Sequence, residues 1–121
     1  MKVLIVDDEP NIVTSLEFLM RKQGHEIRVA ADGEEALTAV DEFRPDLVLL
    51  DVMLPHRNGY EVCQLLRERA DLRDVKIVML TAKGREAEVA KGKALGADDY
   101  VTKPFSTREL VTRLERLLGR A

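Results

Sequence analysis

Short apolar runs alternate with longer amphipathic stretches along this chain. The runs at 3–6, 47–50 and 77–80 are too short for helices and rich in branched side chains. They predict strands buried on both faces, as in a parallel sheet covered by helices. A weaker stretch at 26–31 alternates Ile27, Val29 and Ala31 with Glu26, Arg28 and Ala30, which predicts an edge strand with one wetter face. A short fifth strand is predicted at 100–102.

Helical spacing fills the gaps. Over 10–23 the apolar positions Ile12, Val13, Leu16, Leu19 and Met20 share one face, with Pro10 suited to the first turn and Gly24 to the C-terminal cap. Asp32, with Glu35 three residues on, is an N-cap signal before Ala36, Leu37, Val40 and Phe43, and Pro45 stops that helix. A third helix is predicted over 58–69, carrying Val62, Cys63, Leu65 and Leu66. Ser106 and Glu109 form a capping-box pair opening the last helix, whose inner face is Leu110, Val111, Leu114, Leu117 and Leu118. The helix expected over 85–95 offers mainly Ala87, Val89, Ala90, Ala94 and Leu95, with Gly92 inside. It buries little and is expected to be the loosest element. Five strand–helix repeats in succession predict an α/β fold, a doubly wound parallel sheet in a single domain spanning 1–121.

Composition narrows the function classes. With 121 residues the chain is one domain in length, and 45% hydrophobic with 34% charged residues is an ordinary globular balance. No apolar run approaches the roughly 18 residues of a membrane span, and the first apolar run is too short for a signal peptide. A single cysteine excludes an internal disulfide and fits a reducing compartment, so a cytoplasmic location is expected. A net charge of −3, with 4% aromatics and no Trp, argues against a nucleic-acid surface or a base-stacking platform.

The polar residues that end the apolar runs carry the chemistry. Strand one ends in Asp7-Asp8, strand three in Asp51, strand four in Thr81 and strand five in Lys103. In open α/β sheets ligands bind beyond the carboxyl ends of the strands, where the strand order reverses. With order 2-1-3-4-5, Asp7, Asp8 and Asp51 converge in one crevice. Three close carboxylates repel unless protonated or bound to a cation, and hard oxygen ligands with positions left for water favour Mg²⁺. Taken singly, each aspartate reads more readily as a turn or helix cap. The set of five at one sheet edge does not.

These residues bring in a family. The stretches V-L-I-V-D-D-E-P, P-D-L-V-L-L-D-V-M-L-P, N-G-Y-E-V, V-M-L-T-A-K and G-A-D-D-Y-V-T-K-P-F, in this order and spacing, resemble those of bacterial response-regulator receiver domains, the family of the chemotaxis regulator. The resemblance runs from the first strand to the last helix and implies a flavodoxin-like fold with five strands ordered 2-1-3-4-5. It implies that Asp51 is the phosphoacceptor and that Asp7, Asp8 and the Met53 backbone carbonyl belong to a Mg²⁺ pocket with it. Thr81 and Lys103 match the hydroxyl and amine that contact the phosphoryl group. Thr81 and Tyr100 match the switch pair, in which the aromatic ring turns inward on phosphorylation; read alone, Tyr100 is a half-buried strand residue. Lys103-Pro104 resembles a position where the family carries a cis peptide bond, although most X-Pro bonds are trans. The donor implied is a phosphohistidine on a sensor histidine kinase or a histidine phosphotransfer protein.

The implied chemistry is self-consistent. A carboxylate is ionised near neutral pH and needs no general base to attack a phosphoryl group in line. Mg²⁺ and the Lys103 ammonium would neutralise charge on the equatorial oxygens, and Thr81 would donate to one of them. Such a domain phosphorylates and dephosphorylates itself and is not otherwise an enzyme. The 85–105 surface is expected to move on activation and to control an output partner or domain.

The remaining candidates read more plainly. His56 is expected in an exposed loop, His25 on the surface before strand two, and Cys63 in helix packing. Asn58-Gly59 resembles the turn before the family's third helix. Arg108, Arg113, Arg116 and Arg120 crowd the last helix, but Glu109 and Glu115 interleave, giving a solvated face. The stretch 96–114 resembles receivers attached to winged-helix DNA-binding domains, which dimerise through the fourth helix, fifth strand and fifth helix. Asp99 and Arg113 match one cross-subunit ion pair of such dimers, whereas Val89 and Ala94 depart from charged positions in the others. No direct nucleic-acid or membrane contact is expected of the domain itself.

Other functions fit less well. A flavin or nucleotide binder of this fold would cradle phosphate after strand one, where D-D-E-P repels it. A phosphohydrolase using an aspartyl phosphate would need a substrate cap. A phosphorylation-independent interaction module of the same fold remains the alternative. Whether the domain stands alone or belongs to a longer regulator with a DNA-binding domain stays open.

Overall fold

The computed structural model describes residues 1–56, 58–82 and 95–119. Five parallel strands form one sheet in the order β2-β1-β3-β4-β5: β1 (Lys2–Val6), β2 (Glu26–Ala30), β3 (Leu47–Asp51), β4 (Lys76–Ala82) and β5 (Asp99–Lys103). The alternating residues of each strand sort onto two faces. Val3, Ile5, Leu47, Leu49, Val78, Leu80 and Val101 pack under α1 (Pro10–Lys22) and the C-terminal helix Thr107–Leu117. Leu4, Val6, Val48, Leu50, Ile77, Met79 and Tyr100 pack under α2 (Gly33–Phe43) and α3 (Gly59–Arg67). Both faces being covered explains the unbroken apolar runs of the three central strands. Burying each large aliphatic side chain contributes about 1.5–3 kcal/mol, and this two-sided core is the main source of stability.

Local signals set the helix ends. The Asp32 carboxylate accepts the Glu35 backbone N–H at 2.8 Å and Asn58 accepts that of Glu61 at 2.9 Å, so two side chains cap α2 and α3. Ser106 Oγ accepts the Glu109 N–H at 3.3 Å, but the Glu109 carboxylate turns to Arg113 and not back to the cap. Pro10 opens α1, and Gly24 follows its last turn with φ +86°, a conformation glycine takes without steric penalty. A short 3₁₀ turn at Ala70–Leu72, which periodicity did not signal, follows α3 and buries Leu72. The helix expected over 85–95 lies almost wholly outside the described residues, as do Val89, Ala94 and Arg120.

Two expectations need correction. His25 is buried, 9% exposed, and not a surface residue. The turn at Gly24 folds the chain back so that the His25 N–H donates to the Met20 carbonyl at 3.1 Å, and His25 lines a small cavity with Met20, Val111, Leu114 and Leu118 between α1 and the C-terminal helix. In β2, Ala30 is buried while Ala31 lies beyond the strand and is exposed, so the last step of the alternation is reversed.

Candidate functional site

Strand register assembles the site. Val6 of β1 pairs with Leu50 of β3, which puts Asp7 and Asp51 side by side one step further on. Asp51 is in turn opposite Leu80 of β4, and Thr81 is the next residue. Ala82 pairs with Lys103 at the end of β5. The chain crosses from β1 outward to β2 and returns past β1 to β3, so the crevice between β1 and β3 is the point where strand order reverses.

The side chains meet there. Carboxylate oxygens of Asp7, Asp8 and Asp51 lie within 4.8 Å of one another, with Asp7 and Asp51 buried and Asp8 exposed. Lys103 Nζ donates to Asp7 Oδ2 at 2.8 Å and lies 3.4 Å from Asp51 Oδ2. Asp7 Oδ1 accepts the Glu9 N–H at 2.9 Å, and Asp51 Oδ1 accepts that of Met53 at 3.2 Å. Three carboxylates facing one ammonium leave negative charge uncompensated. Burial, then the neighbouring Asp7, push the Asp51 carboxyl up to about 6 from an ordinary 3.8, against the opposing pull of Lys103. Burial works against the Lys103 ammonium, yet Asp7 and Asp51 outweigh it and raise its pKa. A set of hard oxygens, two buried and one at the solvent rim, carrying surplus negative charge fits a small divalent cation.

The other candidates fall where the chain predicts or close by. Thr81 is buried at 3% exposure, and its hydroxyl has no hydrogen-bond partner among the described residues. Tyr100 is already turned into the core, packed among residues that include Tyr60 and Cys63. Its hydroxyl, too, lacks a partner among the described residues, and burial raises its pKa to about 12. The Lys103–Pro104 bond is cis. Met53 is exposed beside the crevice. Cys63 is fully buried, and burial pushes its thiol up, which suits packing and not nucleophilic chemistry. His56 is exposed at φ +68°, with Nε2 3.9 Å from Asp32 Oδ2.

Asp99 and Arg113 do form an ion pair, but within one chain, at 2.9 Å. The same guanidinium also donates to the Tyr100 carbonyl and to Glu109, tying the last helix to β5. Sequence reading missed a second polar cluster, on Arg67 of α3. Its guanidinium donates to the Gly96 carbonyl at 2.8 Å, the Val75 carbonyl at 2.7 Å and Asp98 at 2.6 Å. The one signal for it, an arginine on the half-buried flank of a predicted helix, is too common to single out.

Comparison with known proteins decides the family. A sequence model described as "Response regulator receiver domain" matches residues 3–115. The chain belongs to the response regulator receiver domain family. A response-regulator-class protein of Chloroflexus aurantiacus J-10-fl is 40% identical, with a TM-score of 0.94 and 98% of each chain covered. The chemotaxis response regulator CheY4 of Vibrio cholerae is 34% identical, with a TM-score of 0.90, 96% of this chain and 97% of that one covered. The receiver domain of a sensor histidine kinase from Pseudomonas aeruginosa PAO1, solved with a magnesium ion coordinated in its active site cleft, is 32% identical, with a TM-score of 0.88 and 98% and 97% covered. This receiver domain of two-component systems therefore has the α/β architecture and strand order its sequence predicts.

Proposed function

We propose that this receiver domain accepts a phosphoryl group on Asp51, in a Mg²⁺-dependent reaction, from the phosphohistidine of a sensor histidine kinase or a histidine phosphotransfer protein. The observation that carries this reading is the Asp51 carboxylate at the floor of an acidic crevice, beside Asp7, Asp8 and the Lys103 ammonium. Asp7, Asp8, Asp51 and the Met53 carbonyl would hold the metal; when bound, Mg²⁺ supplies the positive charge that offsets the surplus of carboxylates and of phosphoryl oxygens.

The chain's own residues do the rest. Asp51 presents Oδ2 as nucleophile, while its Oδ1 is held by the Met53 N–H at 3.2 Å, which limits rotation of the carboxylate. The Asp51 carboxylate forms the new P–O bond as the phosphohistidine P–N bond breaks, and the imidazole leaves with the bonding pair. Lys103, freed in part from Asp7, neutralises charge on an equatorial oxygen, and the Thr81 hydroxyl donates to another. Water later hydrolyses the acyl phosphate, so the domain acts only on itself and is otherwise no enzyme.

A phosphoryl group shifts an equilibrium only through a better interaction with one state, and the Thr81 hydrogen bond supplies such a difference. Thr81 and Tyr100 flank the segment 83–94, so the 85–105 surface is the proposed output face. The cytoplasmic location and the single-domain extent over 1–121 are part of the same proposal. Dimerisation through the fourth helix, fifth strand and fifth helix would have to proceed with Arg113 already engaged by Asp99 of its own chain.

The test is incubation with acetyl phosphate and Mg²⁺ followed by mass spectrometry. One phosphoryl group on wild type and none on Asp51→Asn is expected. Equal modification of Asp51→Asn would refute the assignment, and a wild type that takes up no phosphoryl group would favour the interaction-module reading.

A further inference from the structure

Gly59 is the first residue of α3, and its backbone lies directly against the peptide that follows Asp51. Its N–H donates to the Val52 carbonyl at 2.9 Å, and the Val52 N–H donates across to the Leu80 carbonyl of β4 at 3.1 Å. Val52 is thus held on both sides, the 51–52 peptide by the sheet through its N–H and the 52–53 peptide by the helix start through its carbonyl. A Cβ on residue 59 would collide with the Asp51 carbonyl oxygen, and would lie 2.9 Å from Val52 Cα and 3.0 Å from the Asp51 carbonyl carbon. All three are backbone atoms, so no side chain can swing aside to make room. The φ of Gly59 is not in the left-handed region, and any residue could adopt it. What residue 59 requires is the missing methyl group.

We propose that Gly59 is a positioning residue for Asp51, its bare Cα letting the start of α3 pin the acceptor's own peptide and so fix the direction of the carboxylate. This rests on the reading of Asp51 as phosphoacceptor. The carboxylate is oriented from its own backbone, since Met53 N–H binds Oδ1 from two residues along. A shift of the 51–52 peptide therefore moves the nucleophilic oxygen relative to Asp7 and Lys103, which are fixed by other strands. A misplacement of about 1 Å at a reacting group can lower a rate by about 100-fold.

The experiment compares Gly59→Ala with two controls in the full chain. Asn58→Ala removes the cap of the same helix without adding a Cβ, and Leu110→Ala weakens the core on the opposite face of the sheet. In the free protein, without metal or donor, Gly59→Ala is expected to shift the backbone amide resonances of Val52, Met53 and Leu80, with β2 unaffected. With acetyl phosphate and Mg²⁺, its maximal phosphorylation rate is expected to fall about 10- to 100-fold. Asn58→Ala and Leu110→Ala should stay within about threefold of wild type at a temperature where they are folded, because neither moves the acceptor. Rates for Gly59→Ala within threefold of wild type, or an equal loss in either control, would overturn the proposal. If Gly59→Ala does not fold, the wild-type chain provides the test: on Mg²⁺ addition the Gly59 amide should move with those of Val52 and Met53, more than Cys63 one turn on. A Gly59 amide that stays fixed while Val52 and Met53 move would overturn it as well. A wild type that is neither phosphorylated nor responsive to Mg²⁺ defeats the phosphoacceptor reading, while the amide shifts of the free Gly59→Ala protein still report on the positioning.

Discussion

Two polar clusters sit at opposite edges of the same sheet and are built on opposite principles. At the amino edge, Arg67 distributes its donors over the Gly96 and Val75 carbonyls and the Asp98 carboxylate, and Asp98 Oδ2 also accepts the Ile77 N–H at 2.8 Å. Charge and hydrogen-bonding capacity there match. At the carboxyl edge, three carboxylates cluster where one ammonium pairs with two of them, and the buried Thr81 hydroxyl has no partner among the described residues. The first arrangement closes a structure. The second leaves electrostatic and hydrogen-bonding capacity open, as the proposed binding of a phosphoryl group with Mg²⁺ would require.

Breaking the matched cluster should have the largest effect on stability. Arg67→Ala removes the guanidinium from two carbonyls and from the Asp98 carboxylate, which keeps only the Ile77 N–H, and should cost about 3 kcal/mol in urea unfolding. Phosphorylation of the folded fraction should be unchanged, because the clamp lies at the other edge. A cation should act the opposite way on the unmatched cluster. Mg²⁺ at 100 times its Kd is expected to raise stability by about 2.7 kcal/mol, read as a concentration-dependent rise in Tm. The same salt should leave the Tm of an Asp8→Asn, Asp51→Asn double variant nearly unmoved.

The pH response sharpens the contrast further. Because burial and Asp7 raise the Asp51 carboxyl to about 6, this group binds more proton in the folded than in the unfolded chain between about pH 4 and 6. Metal-free stability should therefore fall as pH rises through that window, by about 1–2 kcal/mol, and Mg²⁺ should remove the fall. Chemical unfolding at pH 4.5 and 7 in a chelator is the measurement. The smallest expected effect is that of Asp8→Asn, which relieves repulsion at the exposed rim of the crevice. It should stabilise the metal-free chain by less than about 1 kcal/mol while weakening Mg²⁺ binding about tenfold by calorimetry.

The fold and the candidate site were legible in the chain to different depths. Strands β1, β3 and β4 declared themselves as apolar runs because both of their faces are buried, and Asp32, Asn58 and Ser106 cap helices through contacts only three residues long. The acidic residues were visible because each directly follows or ends such a run, so local sequence already locates them at the carboxyl edge. The Asp99–Arg113 pair was visible as two charges. Whether they join one chain or two depends on how the last helix lies on β5, which no local pattern encodes.

What the sequence determined by itself was therefore the alternation of elements, their caps and the list of polar residues at strand ends, all set by interactions over a few residues. The tertiary structure alone decided three things. His25 became buried because the C-terminal helix, about 90 residues away in sequence, closes over the turn after α1. Arg67 became a clamp because the starts of β4 and β5 arrive beside α3. The methyl-free surface of Gly59 acquired meaning because packing brings the start of α3 onto the peptide after Asp51. Each is a contact between segments whose distance apart in sequence says nothing of their distance in space, and only the packing of helices on the twisted sheet fixes it.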